Sequence, residues 1–286
     1  MRDTTPQRIV KWIVFIIFAF YAMTLLFPFA WMLLNSFKTN SDFVRNIWGF
    51  PKKIIFDNYI NAFIKTTIPV SGKKYNIASM FGFSIFITLS ATVINTFLST
   101  CVAYVVAKYK FVGRNILFSI ALFALILPTA GTLVAQYKLM TALKLTNTIV
   151  GLLILYSGSF GFTFFIMQGI FKGISWTYAE AAFIDGASDF KVFIKIMIPM
   201  AWPTMVSLAV IYSIGIWNDY TTPSLYLRKY PTLAVGMRNL TDSLQKRGAY
   251  SEMFAAMLVS LIPILVLFIS FQKTIMENTI AGGLKG

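Results

Sequence analysis

Six stretches of this chain are apolar and nearly free of charge, and each is closed by lysine, arginine or a polar run. The first, 12–37, holds 26 consecutive uncharged residues. As a helix rising about 1.5 Å per residue, it is long enough to cross roughly 30 Å of hydrocarbon. Further stretches follow at 77–107, 115–137, 148–171, 203–225 and 253–271, and each predicts a spanning helix. A secretory signal peptide is shorter and ends at small residues, which the exit PFAWMLLNSFK does not offer. The first stretch is therefore read as a retained helix.

The connection at 38–76 is polar and punctuated by aromatic residues and proline, which predicts an exposed loop with short helices. Its PVSGKK run lacks the glycine that a phosphate-binding loop places five residues before Gly72-Lys73. The second span carries eight hydroxyl or amide side chains between Ser84 and Thr100, a density that suits either helix packing or a polar passage. Pro128, Thr129, Gly131 and Thr132 interrupt the third span, and Gln136 follows. Transporter helices are interrupted where backbone lines a cavity. In the fourth span, Ser157-Gly-Ser-Phe-Gly161 allows close backbone approach.

Residues 173–202 form a connection too polar to lie in hydrocarbon. Glu180, Ala181 and Ala182 favour helix, and Gly186 is placed to end it in a left-handed conformation. Ser188 can cap a second helix with Asp189 in its first turn. Pro199 and Pro203 are expected to close this bent elbow and restart the chain into the fifth span.

Composition narrows the class. The 286 residues are 57% hydrophobic and 12% charged, with a mean hydropathy of +0.72, which excludes an ordinary soluble fold. The net charge of +15 comes from lysine and arginine that flank the apolar runs, so anionic lipid is a better partner than nucleic acid. There is no histidine, and Cys101 is the only cysteine. That rules out an intrachain disulfide, a thiolate cluster and a histidine-based triad or zinc site. No catalytic residue and no metal ligand set is expected, nor any cofactor on this chain.

The elbow resembles the EAA loop of binding-protein-dependent ABC importer permeases: Glu-Ala-Ala, glycine four residues after the second alanine, then Ile196 and Pro199. Carbohydrate permeases of this kind usually have Ile-Pro just upstream, where this chain has Ile174-Ser175; a serine N-cap can start the same helix. The resemblance continues in LILPTAGTLVAQYKLMTALKLTNT and in the terminal TIAGGLKG, which is like the tail of the smaller maltose-type subunit. It implies an all-α polytopic membrane protein with six transmembrane helices, one permease domain over 1–286, and a cytoplasmic coupling-helix loop. In that family the loop docks on an ATPase subunit, which assigns ATPase coupling to Glu180, Ala181, Ala182, Asp185 and Gly186. It also implies a second permease, two ATPase subunits carrying ATP and magnesium, an extracytoplasmic solute-binding protein, and residence in a prokaryotic cytoplasmic membrane. Charge does not set the orientation: with the elbow inside, 11 basic residues lie inside and 14 outside.

Trp217-Asn218-Asp219-Tyr220, near the outer end of the fifth span, resembles a signature of carbohydrate permeases. Amides and carboxylates can hydrogen-bond sugar hydroxyls, and aromatic faces can cover a sugar ring. With Tyr212 and Gln136 these four residues form the expected solute path, though aromatic residues also gather at membrane interfaces for anchoring alone. The function implied is import of a sugar or oligosaccharide. A permease for another solute, such as glycerol phosphate or an amino acid, and a secondary transporter remain open. The last would want a buried ionisable residue for ion coupling, and the spans' interiors lack one.

Overall fold

The computed structural model describes residues 5–126 and 131–283. Pro128 and Thr129 of the expected interruption, and the last three residues of the TIAGGLKG tail, lie outside the described residues. Helix α1 (Thr5–Ser36) is followed by short helices α2 (Asn40–Arg45) and α3 (Asp57–Ile60), then by a hairpin of β1 (Thr67–Val70) and β2 (Lys73–Asn76). The PVSGKK run is its turn. Ser71 and Gly72 sit at φ of 49° and 79°, the twist that a two-residue hairpin loop needs. The chain continues through α4 (Ile77–Lys108), α5 (Arg114–Ile126), α6 (Leu133–Ala142), α7 (Ile149–Tyr156) and α8 (Phe162–Gly173). After α9 (Thr177–Ile184) and α10 (Asp189–Val192), a π-helical turn at Phe193–Met197 leads into α11 (Ile198–Asn218); α12 (Thr221–Tyr226), α13 (Leu233–Lys246) and α14 (Tyr250–Gly283) complete the chain.

Among the described residues, four helices are long and apolar enough to cross a membrane: Gln7–Ser36, Ile77–Lys108, Asp189–Asn218 and Tyr250–Lys273. The chain is an all-α polytopic membrane protein. The expected third span, 115–137, is instead divided between α5 and α6, and α6 continues past it to Ala142 with Lys138 inside. The fourth, 148–171, is divided between α7 and α8, so its Ser157-Gly158 region is a break rather than a close-packing surface. The fifth begins at Asp189, not at Pro203, and takes in the second half of the expected connection. Pro199 and Pro203 do not restart the chain. The wider turn at Phe193–Met197 lets the helix pass Pro199, which has no N–H and would crowd the carbonyl of Lys195 in a regular α-turn.

Contacts divide the chain into two compact units. The first comprises Met1–Ile68, Lys74–Ala78 and Gly236–Ile262. Its 38–65 connection is not simply an exposed loop. The last carbonyls of a helix need partners, and the amide of Asn58 donates to the carbonyls of Ser36 and Lys38 at 2.6 and 2.8 Å. Lys38 is itself fully buried and donates to the Asn46 carbonyl at 2.7 Å. Trp31 then packs edge-on to Phe43 and Phe254, with centroids 6.2 and 5.2 Å away.

The second unit is built mainly from Ser79–Val235. It holds two apolar clusters. One gathers Ala103, Tyr104, Phe171, Ala179, Phe193 and Met197 around the elbow, and the other gathers Ile87, Leu152, Tyr156 and Ile216 around the break in the fourth span. Both places where the backbone departs from a plain helix are thereby backed by buried side chains.

Candidate functional site

The elbow is a helix–glycine–helix unit. At its start Ser175 accepts from the Thr177 N–H at 3.3 Å and donates to the Thr177 hydroxyl at 3.0 Å. The serine thus serves α9 from one residue before its N-cap, Trp176, which offers no side-chain cap. At the end of α9, Gly186 stands at φ 77°. Its N–H donates to Phe183 at 3.0 Å, and the Ala187 N–H donates to Ala182 at 2.9 Å. These paired bonds satisfy two of the helix's last carbonyls and need a left-handed residue at the bend. Ser188 then accepts from the Lys191 N–H at 3.4 Å to start α10.

Helical spacing sorts the residues of α9 into two faces. Ala179 is fully buried, and Ala182 and Phe183 are half-buried against the same cluster. Glu180, Ala181 and Asp185 are exposed, as is Gly186. Ala182 is therefore an inward packing residue, whereas its expected role was on the docking surface. Two exposed apolar residues of the elbow lie outside the expected coupling set: Ile184, 86% exposed, and Phe190, 71% exposed. Ile184 follows Glu180 by four residues and so shares its face, a spacing that does place it there.

The elbow is held at both ends by two consecutive residues. Lys108, the last residue of α4, donates its ammonium to the Ile174 carbonyl ahead of α9. Tyr109 donates its hydroxyl to the carboxylate of Asp189 at 2.6 Å. The Tyr109 ring stands edge-on to Tyr104 and to Trp176, at 5.6 and 5.8 Å, and Tyr104 stacks on Phe193 at 4.8 Å. Burial, with the Asp189 carboxylate accepting its proton, pushes the Tyr109 phenol above the ordinary tyrosine range. The hydroxyl stays a donor.

The second place of interest is the break between α7 and α8. Asn95 of α4 donates its amide to the carbonyls of Tyr156 and Gly158 at 3.2 and 2.9 Å, and the Tyr212 hydroxyl also donates to Tyr156. Backbone left unpaired by a broken span needs such partners where water is absent. The Tyr156 hydroxyl donates to Asp219 at 2.9 Å. The other carboxylate oxygen of Asp219 accepts from the N–H groups of Thr221 and Thr222 at 2.8 and 3.0 Å and starts α12. A cavity of about 410 Å³ adjoins these groups, lined by Asn95, Ser99, Tyr156, Tyr212 and Asp219 among others. The carbonyl oxygen of the Asn95 side chain and the Ser99 hydroxyl are buried without a partner among the described residues.

Of the expected path residues, the structure brings Tyr212 and Asp219 to this cavity. Trp217 is buried and edge-on to Phe81 at 5.5 Å; Tyr220 is exposed. Asn218 is exposed and returns its amide to the Ile214 carbonyl at 2.9 Å. Gln136 accepts from the Tyr226 hydroxyl at 3.0 Å. Asn218 and Gln136 do not line the cavity. Asn95 is one of the eight polar side chains of the second span, whereas no sequence signal marks Tyr156, whose partners lie far away in the sequence.

Two relatives match over most of their length. The arabinooligosaccharides transport system permease protein AraQ of Halalkalibacterium halodurans is 29% identical over 290 residues, covering 100% of this chain and 99% of that one. The diacetylchitobiose uptake system permease protein NgcG of Streptomyces coelicolor is 28% identical, covering 92% and 85%. In fold, the chain is similar to one in the crystal structure of a bacterial ABC transporter involved in the import of the acidic polysaccharide alginate. The TM-score is 0.81 at 21% identity, covering 96% of this chain and 99% of the other. Residues 99–277, which take in the elbow and the broken fourth span, match the family of binding-protein-dependent transport system inner membrane components, and the chain belongs to that family.

Proposed function

We propose that this chain is one permease subunit of an ATP-driven importer that moves a sugar or oligosaccharide into a prokaryotic cell across its cytoplasmic membrane. The observation that carries this reading is the exposed elbow, with Glu180, Ala181, Ile184 and Asp185 turned outward from a packed base. An outward face of small, apolar and acidic groups suits a cleft on a cytoplasmic ATPase that offers a basic residue. The sugar reading is supported by the names of the full-length relatives, whose solutes are arabinooligosaccharides and diacetylchitobiose.

In this reading the chain pairs with a second permease, two ATPase subunits and an extracytoplasmic solute-binding protein, amid membrane lipid. ATP and magnesium sit on the ATPase chains, and this chain does no chemistry. Solute passes beside the broken fourth span, where Tyr212 and Asp219 with Asn95 offer hydrogen-bonding groups. Reconstitution with its partner permease and ATPase in lipid nanodiscs tests the reading. ATP hydrolysis is expected to rise when the solute-binding protein is added with arabino- or chito-oligosaccharides. A rise with glycerol phosphate or an amino acid instead would move the solute outside the sugars, and failure to recover any ATPase with the chain would end the importer reading.

A further inference from the structure

The elbow's two ends lie 15 residues apart in sequence, at Ile174 and Asp189, yet neighbours in a single short segment hold both of them. Lys108 takes the entry through a backbone carbonyl, and Tyr109 takes the exit through a carboxylate. Between these polar contacts the rings of Tyr104, Tyr109 and Trp176 stand edge to face, and Tyr104 stacks on Phe193 just beyond the exit. Edge-to-face and stacked pairs resist sliding, because their attraction depends on ring geometry. A hydrogen bond to a charged group is short and directional as well. We propose that Lys108 and Tyr109 are positioning residues that make the elbow and the end of the second span move as one piece.

This inference rests on the coupling role of the elbow proposed above and names the helix to which its movement passes. The load is carried first to α4. The same α4 presents Asn95 to the carbonyls of Tyr156 and Gly158, 13 residues before Lys108 and so about 20 Å along the helix. A displacement of the elbow along the axis of α4 would therefore be delivered to the broken fourth span and its cavity. Between α9 and α10, Gly186 lets the two elbow helices keep their angle, while Lys108 and Tyr109 fix that angle to the membrane part.

Tyr109→Phe removes only the hydroxyl and keeps the ring, so it isolates the contact with Asp189. Asp189→Ala removes the acceptor, and Asp189→Asn restores one. The test places spin labels at Val112 and Lys191, both exposed, in a variant without Cys101. The complete complex with partner permease and ATPase is reconstituted in nanodiscs, and the distance between labels is recorded without nucleotide and after trapping with ATP and vanadate. The expected result is one narrow distance, unchanged by trapping, in the otherwise native sequence and in Asp189→Asn. In Tyr109→Phe and Asp189→Ala that narrow distribution is lost on trapping, while the ATPase is recovered with the complex as before.

Unchanged distances in Tyr109→Phe and Asp189→Ala would overturn the proposal and leave the docking reading intact. So would a distance that shifts on trapping in the native sequence, since elbow and span would then move apart. Loss of ATPase from Tyr109→Phe alone would make the hydroxyl a docking or folding contact and would also overturn it. If the ATPase is not recovered with the native sequence, the coupling reading falls, and this inference falls with it.

Discussion

At the elbow, the backbone groups freed by the bend at Gly186 are taken up by neighbours in sequence: Gly186 and Ala187 donate to Phe183 and Ala182. At the break in the fourth span, the freed carbonyls of Tyr156 and Gly158 are taken up by Asn95, 61 and 63 residues earlier, and by Tyr212, 56 residues later. The turn at Gly186 has no need of distant donors because its freed carbonyls are paired within five residues; Lys108 and Tyr109 act at the elbow's two ends, not at its bend. The break lies within a span, where a carbonyl without a partner is costly and the donor has to come from another helix. One bend is closed by chain-local geometry, the other by tertiary structure, and substitutions at the two are expected to fail differently.

The largest effect is expected from Asn95→Leu, which keeps the branched shape of the side chain and removes both donated hydrogen bonds. Tyr156 retains the Tyr212 hydroxyl, so the carbonyl left without a partner is that of Gly158. The buried Asn95 gives up two hydrogen bonds, and each costs about 0.5–1.5 kcal/mol. The expected outcome is lower membrane abundance and an earlier loss of the monodisperse peak when the detergent-solubilised protein is heated. A melting profile equal to that of the native sequence would show that the break does not depend on α4.

Gly186→Ala probes the other bend. A Cβ at this position would meet nothing within 4 Å, so the cost is purely conformational, about 1–2 kcal/mol for an L-residue in the left-handed region. The expected outcome is near-normal abundance, a melting point lowered slightly, and about a tenfold loss of the ATP hydrolysis stimulated by loaded solute-binding protein. Gly186→Asn should lose less, since asparagine tolerates that region better. Equal losses from alanine and asparagine would mean that the glycine matters for something other than its φ.

These differences also explain what could be read from the residues alone. The elbow's bend is legible because Gly186 and Ser188 act on groups within a few residues of themselves, and the first, second and sixth spans are legible because uninterrupted apolar runs say little else. The break between α7 and α8 reads in the sequence as a packing surface, since nothing near Ser157 and Gly158 signals that Asn95 completes it. The fifth span's start was misplaced because a proline reads as a boundary unless a π-helical turn absorbs it, and that turn carries no mark in Phe193–Met197. Tyr109 was likewise passed over. Its partner, Asp189, is 80 residues away.

A smaller effect is expected from Tyr212→Phe. The Tyr156 carbonyl then loses one of two donors and keeps Asn95, so the cost is that of an ordinary hydrogen bond, about 0.5–1.5 kcal/mol. Heating the solubilised protein beside Asn95→Leu measures the difference. If Tyr212→Phe proves the more damaging of the two, the carbonyl that matters is that of Tyr156, and Gly158 finds another partner in the membrane.

The smallest effect concerns Glu180 and depends on salt. Its carboxylate is exposed and makes no hydrogen bond or ion pair among the described residues, so changing it leaves the subunit's own fold untouched. If it meets a basic group on the ATPase, the pair lies at the rim of the contact, where solvent screens it and a single exposed pair contributes little. Glu180→Ala should therefore weaken recovery of the ATPase by roughly threefold at low ionic strength. Glu180→Lys should weaken it further, because a like charge adds repulsion to the lost attraction. Raising the salt shortens the Debye length to about 3 Å at 1 M, and the three proteins should then converge. Recovery of the ATPase on affinity-tagged permease, measured at low and high salt for all three, checks this directly. Equal recovery at low salt would leave shape alone, through Ala181 and Ile184, to hold the elbow in its cleft.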